Sequence, residues 1–277
     1  QAPPSEASTV VSLLLQRENE SFFVLFTSLL LNPSYMSLCL SGLILNFKDG
    51  FAWGSFPVFF KQVHGLSDSA TDMLIALYPL CWGFAQAFTG ALSDRYGRKI
   101  FLASGTASCA FAMALFTIPK ALWGDAGDFR HIHLWVVADI FLGLGTALVY
   151  PALQAAAADE VDPMNRGLAL GFYRFLRDMG YVFGALVCGG LEDRVGFEKT
   201  FLVNSLVLAL ALWLLLFFYQ PKSEEDAALS IWLATLFTAF HQVDEIGEYT
   251  EEEEVDVQSP PQSPNRRVLV SHCSDAW

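Results

Sequence analysis

The sequence predicts an all-α membrane protein whose six transmembrane helices form two inverted three-helix repeats. Three observations carry this expectation: a charge-poor composition, six apolar stretches of spanning length, and a charged, glycine-containing string that recurs at the ends of the second and fifth stretches. The chain has 277 residues, of which 53% are hydrophobic, 14% aromatic and 16% charged, and its mean hydropathy is +0.40. A soluble domain carries about 25% charged residues, so the composition points to lipid. The formal charge of −13 is uneven, because residues 221–277 hold 12 acids against 3 bases. This acidity excludes nucleic acid as a partner, since phosphate binding needs a basic surface.

A helix needs about 20 apolar residues to cross a bilayer core. Six segments supply them: Met36 to Phe60, Thr71 to Leu92, Lys99 to Pro119, Leu134 to Ala158, Gly167 to Leu191 and Thr200 to Tyr219. The connections between them hold the breakers and most of the charges, as in GLSDSA at 65–70 and DEVDPMNR at 159–166. A soluble bundle would instead show a charged face on every helix. Glycine and proline recur inside the segments, which membrane helices tolerate and which allow close helix contact. Residues 36–220 are therefore expected to form the six-span transmembrane domain.

Residues 1–35 precede the first span. Their apolar part, ENESFFVLFTSLLLNPS, is short and ends at Asn32-Pro33, which predicts an interfacial helix within a cytoplasmic loop rather than a seventh span. The chain opens on Gln1, with no cationic or apolar leader pattern, and reads as a processed or partial sequence. Residues 221–277 predict an acidic, largely disordered cytoplasmic tail. Within it, Leu229, Trp232, Leu233, Leu236 and Phe240 recur at helical spacing, as an amphipathic helix on a membrane or partner would require.

The second segment ends in GALSDRYGRK at 90–99 and the fifth in GGLEDRVGFE at 189–198. At an offset of 99 residues, five of ten positions are identical: Gly, Leu, Asp, Arg and Gly. Two copies of a three-helix unit follow, and an odd helix count inverts the second copy, as in secondary transporters. In the first string Gly90 and Gly97 permit close approach and a tight turn. Asp94 is placed to accept from a neighbouring helix N-terminus, and Arg95, Arg98 and Lys99 are expected at the membrane surface as a gating motif.

That string, Gly90-Ala-Leu-Ser-Asp94-Arg95-Tyr-Gly97-Arg98-Lys99, resembles the loop motif G-x-L-x-D-R-x-G-R-K of the major facilitator superfamily at every fixed position. Residues 143–167 and 171–196 resemble the fourth and fifth helices of a facilitator half, and residues 43–60 its first. The resemblance covers about residues 20–220. It implies secondary transport of a small solute by alternating access, with the motif and both termini in the cytoplasm. Facilitators normally have twelve spans with the substrate cavity between two halves, so a second six-helix half is implied as a partner. Asp139 stands where the family's N-terminal half usually has Arg, which favours a C-terminal-half assignment.

Charges within spans are costly and usually face a cavity or a partner. Here they are Lys48 and Asp49 in the first segment, Asp139 in the fourth, and Arg174, Arg177 and Asp178 in the fifth. Asp49 and Asp178 fall near the bilayer midplane. Arg174, Arg177 and Asp178 share a helical face and are expected to pair with Asp49 or Lys48 across it. Together with Gln86 and Tyr173 these residues form the expected substrate or proton pathway. Asn46, Tyr78, Tyr150 and Gln154 add uncharged polar groups at depths where a ligand could meet them, but a tyrosine at helical spacing reads as packing and Tyr150-Pro151 as a kink.

No metal or other cofactor is expected. Five cysteines, at 39, 81, 109, 188 and 273, include no C-x-x-C pair and lie at no ligand spacing with histidine. An intramembrane protease is excluded because all five histidines lie outside the spans and no Gly-x-Ser-Gly run occurs. The expected partners are a small-molecule substrate, membrane lipid and the second half. The alternative is a non-transporting membrane scaffold or receptor-like half-transporter that acts through its acidic tail.

Overall fold

A computed structural model describes residues 23–118 and 132–221. Six long helices carry the six apolar segments: α2 (Pro33–Val58), α3 (Asp68–Tyr96), α4 (Arg98–Leu115), α5 (Ile132–Asp159), α6 (Arg166–Val195) and α7 (Phe197–Phe218). They are preceded by α1 (Phe23–Leu31), which meets the Pro33–Val63 helix at 79°. Of these, α3, α5 and α7 are long and apolar enough on their own to cross a membrane, and the bent α1–α2 pair counts as a fourth if it is one span. The third apolar segment outruns its helix: α4 stops at Leu115, and Pro119 is not among the described residues. The expected start of the cytoplasmic loop, the helix at 226–246 and the acidic tail also lie outside them.

Local chemistry sets the helix ends. Asn32 caps α2 by accepting from the Tyr35 amide at 3.2 Å, and Pro33 occupies the first turn, where its missing N–H is not needed. Ser67 caps α3 in the same way, accepting from the Ala70 amide at 3.3 Å. Inside α2, Pro57 removes a donor, and the helix widens into a π-helical turn over Phe59–Val63.

Gly97 joins α3 to α4 with φ 91° and ψ 140°, and Gly196 joins α6 to α7 with φ 87° and ψ 166°. The two glycines that align in the sequence repeat thus adopt one unusual conformation, in which an L side chain costs about 1–3 kcal/mol. Gly196→Ala is expected to lower the detergent melting temperature by several degrees. An unchanged melt would show that this joint does not constrain the fold.

Packing pairs α2 with α6, α3 with α5, and α4 with both α5 and α7, while α7 also lies on α2. Small and hydroxyl residues bring the backbones together. A Cβ on Gly180 or Gly184 would run into the carbonyl oxygens of Leu43 and Phe47 on α2. Hydroxyls bridge helices by donating to carbonyls: Thr89 to Ala147 at 2.6 Å, Ser108 to Phe141 at 2.8 Å and Ser205 to Ala110 at 2.8 Å. Such contacts hold helices together where the surroundings are as apolar as the side chains. Phe51, Phe56, Phe59, Phe116, Trp135 and Phe201 build a continuous ring cluster. It fills the end of the bundle opposite Gly97.

Candidate functional site

Lys48 and Asp49 follow one another on α2, which is packed against α6, so both side chains are driven into the interior and are fully buried. They pair with each other, Lys48 Nζ to Asp49 Oδ1 at 2.6 Å. The ammonium completes its shell by donating to Thr146 Oγ1 at 2.7 Å and Tyr78 Oη at 3.0 Å. The carboxylate accepts from two phenols, Tyr78 Oη on Oδ1 and Tyr150 Oη on Oδ2. A buried ion pair persists only when its remaining donors and acceptors are satisfied, and here α3 and α5 satisfy them.

A second pair lies on α6. Arg177 donates through Nε at 2.9 Å and Nη2 at 2.8 Å to a single oxygen, Asp178 Oδ1. The two pairs do not exchange partners in the way the shared helical face predicted. Adjacent residues pair instead, Lys48 with Asp49 and Arg177 with Asp178. The link between the pairs is Asn46, whose Oδ1 lies 2.6 Å from Tyr150 Oη and whose Nδ2 donates to Asp178 Oδ1 at 3.3 Å. One chain of polar contacts thus runs from Lys48 to Arg177.

This chain borders a cavity of about 540 Å³ whose wall includes Asn46, Trp82, Gln86, Tyr150, Gln154 and Arg177. Arg177 is the one charged residue in the wall. The α5 part of the wall runs from Tyr150 to Ala158, next to Asp159, so the cavity lies at the motif end of the bundle.

The other expected pathway residues are scattered. Gln86 is exposed on α3 and lines the cavity. Tyr173 is fully buried, with its ring 5.8 Å from the Arg177 guanidinium carbon, and lies outside the cavity wall. Arg174 is exposed on α6. Asp139 is fully buried on α5 with neither carboxylate oxygen hydrogen-bonded, apart from the Lys48 and Asp49 pair. Tyr150, Tyr78, Asn46 and Gln154, visible in the sequence as polar groups at span depth but not assigned to the pathway, belong to this network or its cavity. The available signal was their alignment with the charged segments, since Thr146 and Tyr150 lie one helical turn apart on α5.

In the motif, Arg98 bridges two acids, Asp94 at 3.2 Å and Asp159 at 2.9 Å, and so ties α3 and α4 to the end of α5. Asp94 therefore receives the Arg98 side chain rather than the helix N-terminus expected for it. Arg95 is exposed, its guanidinium over the Tyr96 ring. Lys99 is not on the surface: it is buried and donates to the Tyr219 carbonyl at 3.0 Å, beyond the end of α7. Gly90 approaches Pro151, to which an added Cβ would lie at 3.6 Å.

Residues 38–242 match the family model of the Major Facilitator Superfamily. The chain belongs to this superfamily. As a facilitator it shares 28% identity over 61% of its length with "Multidrug resistance protein MdtG" of Citrobacter koseri. It shares 27% over 67% of its length with a "Na(+), Li(+), K(+)/H(+) antiporter" of Planococcus maritimus. These alignments cover 41% and 42% of the relatives, so the facilitator chain spans less than half of their length. The fold matches the inward-open xylose transporter XylE from E. coli with a TM-score of 0.55 and 17% identity, over 78% of this chain and 56% of that one. It also matches a POT family transporter in complex with 5-aminolevulinic acid, with a TM-score of 0.57 and 13% identity, over 79% and 47%. Its kinship is with multi-pass membrane transporters of small solutes and not with enzymes.

Proposed function

We propose that this chain is one six-span half of a secondary active transporter that moves a small organic solute by alternating access. The observation that carries the reading is the solute-sized cavity beside the two linked charge pairs. Helices α2–α4 and α5–α7 would be the two inverted repeats. Support comes from the matching conformations of Gly97 and Gly196 and from the pairing of α2 with α6 and of α3 with α5, which exchange under such a repeat. Helix α1 would lie in the interface, a reading that its 79° bend supports. Residues 1–35 and the acidic tail 221–277 would lie on one side, as six spans require, and the motif loop would make that side cytoplasmic.

A second six-helix half would cover α3 and α6. Both expose large apolar side chains, among them Met73, Leu80 and Phe84 on α3 and Phe175 and Leu186 on α6. The same helices expose Gln86, Arg174 and Asp178, which lipid would penalise and a water-lined cavity between two halves would not. The pathway would comprise Lys48, Asp49, Asp139, Arg174, Arg177, Asp178, Gln86 and Tyr173, now joined by Asn46, Tyr78 and Tyr150. Gly90, Asp94, Arg95, Gly97, Arg98 and Lys99 would form the cytoplasmic gate. The cavity's position at the motif end matches an inward-facing state. The non-transporting alternative draws on the acidic tail, and no contact among the described residues favours it.

The wall composition narrows the solute. One guanidinium, three amides and the rings of Trp82, Tyr150 and Tyr181 suit an organic anion with a flat body. Proteoliposomes holding the complete protein test the reading, with benzoate as the solute and a pH-sensitive dye inside. Benzoate is expected to drive proton movement that Asp178→Asn removes while the melting temperature stays within a few degrees. Asp178 is half exposed, so its replacement does not strand a deeply buried charge. Normal proton movement in a folded Asp178→Asn protein would remove this residue from the mechanism.

A further inference from the structure

Helix α1 reads FVLFTSLLL and carries no charge. One side of it is held by the bundle: Leu29 is buried, and the Phe26 ring meets Phe172 of α6 edge-on at 5.1 Å. The other side is apolar and open, with Val24 71%, Leu30 42% and Leu31 76% exposed. Thr27 and Ser28 lie on that side and donate their hydroxyls to the carbonyls of Phe23 and Leu25 in the same helix, at 2.8 and 2.7 Å. Hydroxyls bonded within their own helix ask nothing of water, which suits contact with acyl chains. A helix at 79° to a spanning helix lies along a membrane surface, and one without charge has no means of reading a headgroup.

The turn out of α1 is clamped to the end of α5. Asn32, whose Oδ1 caps α2, donates from Nδ2 to Glu160 Oε2 at 3.4 Å, and Ser34 donates to Glu160 Oε1 at 2.7 Å. Ser34 Oγ also accepts from the Gln220 amide at 3.2 Å, which brings in the chain leaving α7. Glu160 directly follows Asp159, the acid that Arg98 of the motif holds at 2.9 Å. Two consecutive acids therefore serve two different partners, Asp159 the motif and Glu160 the elbow between α1 and α2. A displacement of α1 that moves Asn32 and Ser34 pulls on Glu160, and one peptide unit carries the pull to Asp159.

We propose that α1 is a bilayer-contact lever: its open face docks on the acyl-chain border of the leaflet at the motif end, and Glu160 is the positioning residue that passes its depth to the Arg98–Asp159 bridge. This rests on the transport reading above and names the regulation of its gate. A change in bilayer thickness shifts the acyl-chain border relative to the spans, so α1 must tilt with it. Headgroup charge has no part in the contact, because the face offers nothing for it to pair with.

The test uses the complete purified protein in lipid vesicles. Leu31→Trp adds emission, read as the difference from the wild type, that is expected to be quenched by phosphatidylcholine brominated on its acyl chains, and equally when phosphatidylglycerol is mixed in. No quenching would mean that other protein, from this chain or a second copy, covers the face. Quenching only with phosphatidylglycerol would mean that headgroup charge recruits it. Either result overturns the docking.

Hydrogen exchange over residues 94–102 then reads the gate. Between dimyristoyl and dierucoyl phosphatidylcholine it is expected to change about threefold to tenfold in the wild type, and by less than about half of that in Glu160→Gln. This variant keeps the acceptor for Ser34 and loses the one for Asn32. Asn32→Ser keeps a cap on α2, removes the donor to Glu160 and is expected to give the same loss. Exchange over residues 202–212 of α7 confirms that each variant is folded. A residue that only holds the fold together would raise exchange equally in both lipids. Equal thickness dependence in the wild type and both variants, or none in the wild type, overturns the lever. Benzoate-driven proton movement in vesicles without thickness dependence overturns the lever alone, and thickness dependence without benzoate-driven movement overturns the transport reading alone.

Discussion

Gly184→Ala is expected to destabilise the protein by about 3 kcal/mol and to lower its detergent melting temperature by about 10 °C. In an exposed helix interior the same change is favourable, by roughly 0.5–1 kcal/mol. The sign reverses here because the added methyl has no space. Its carbon would sit inside the Phe47 carbonyl of α2, and Gly180, one turn earlier, faces the Leu43 carbonyl in the same way. Backbone cannot rotate aside as a side chain does, so α2 and α6 must separate along their whole contact. That contact also aligns Asn46 with Asp178, and benzoate binding is expected to fall with stability. Gly54→Ala is the control, since nothing lies within 4 Å of a Cβ there. Equal melting of the two variants would mean that α2 and α6 do not pack through these glycines.

The second large effect is expected at the buried ion pair. Asp49→Ala leaves the Lys48 ammonium at 0% exposure without a counter-charge and deprives Tyr78 and Tyr150 of their acceptor. Removing one partner of such a pair costs about 3–5 kcal/mol. Adding Lys48→Met and restoring an acceptor with Asn at position 49 is expected to recover more than half of the loss, because no charge is then stranded and the phenols regain a carbonyl oxygen. The measurement is a melting series that adds Lys48→Met and Asp49→Asn singly to the double replacement, and these three with the wild type are read as a double-mutant cycle. Additive losses would show that Lys48 and Asp49 contribute independently and that the pair is not the unit of stability.

The sequence by itself determined the helices and the family. Six apolar runs are visible because charge is excluded from a span and collects in the connections, and α2 to α7 follow them closely. The string at 90–99 named the superfamily because its glycines and charges are local, one residue to the next. The recurrence of Gly97 at Gly196 was legible for the same reason, and both joints have the positive φ that glycine permits.

What only the tertiary structure decided is which polar groups meet. Tyr150 and Asp49 are 101 residues apart, and Asn46 and Asp178 are 132 apart. A tyrosine in an apolar run reads the same whether its hydroxyl is a bystander or holds a carboxylate. The rotation of each helix about its axis chooses between these, and that rotation is set by glycine contacts such as Gly184 on Phe47. Lys99 shows the same limit: a lysine at a span end reads as a surface cation, yet the end of α7 covers it and offers the Tyr219 carbonyl. Helical periodicity fixes which residues share a face, but the choice of the face turned to a neighbour is a packing free energy summed over two helices, and one chain segment does not contain it.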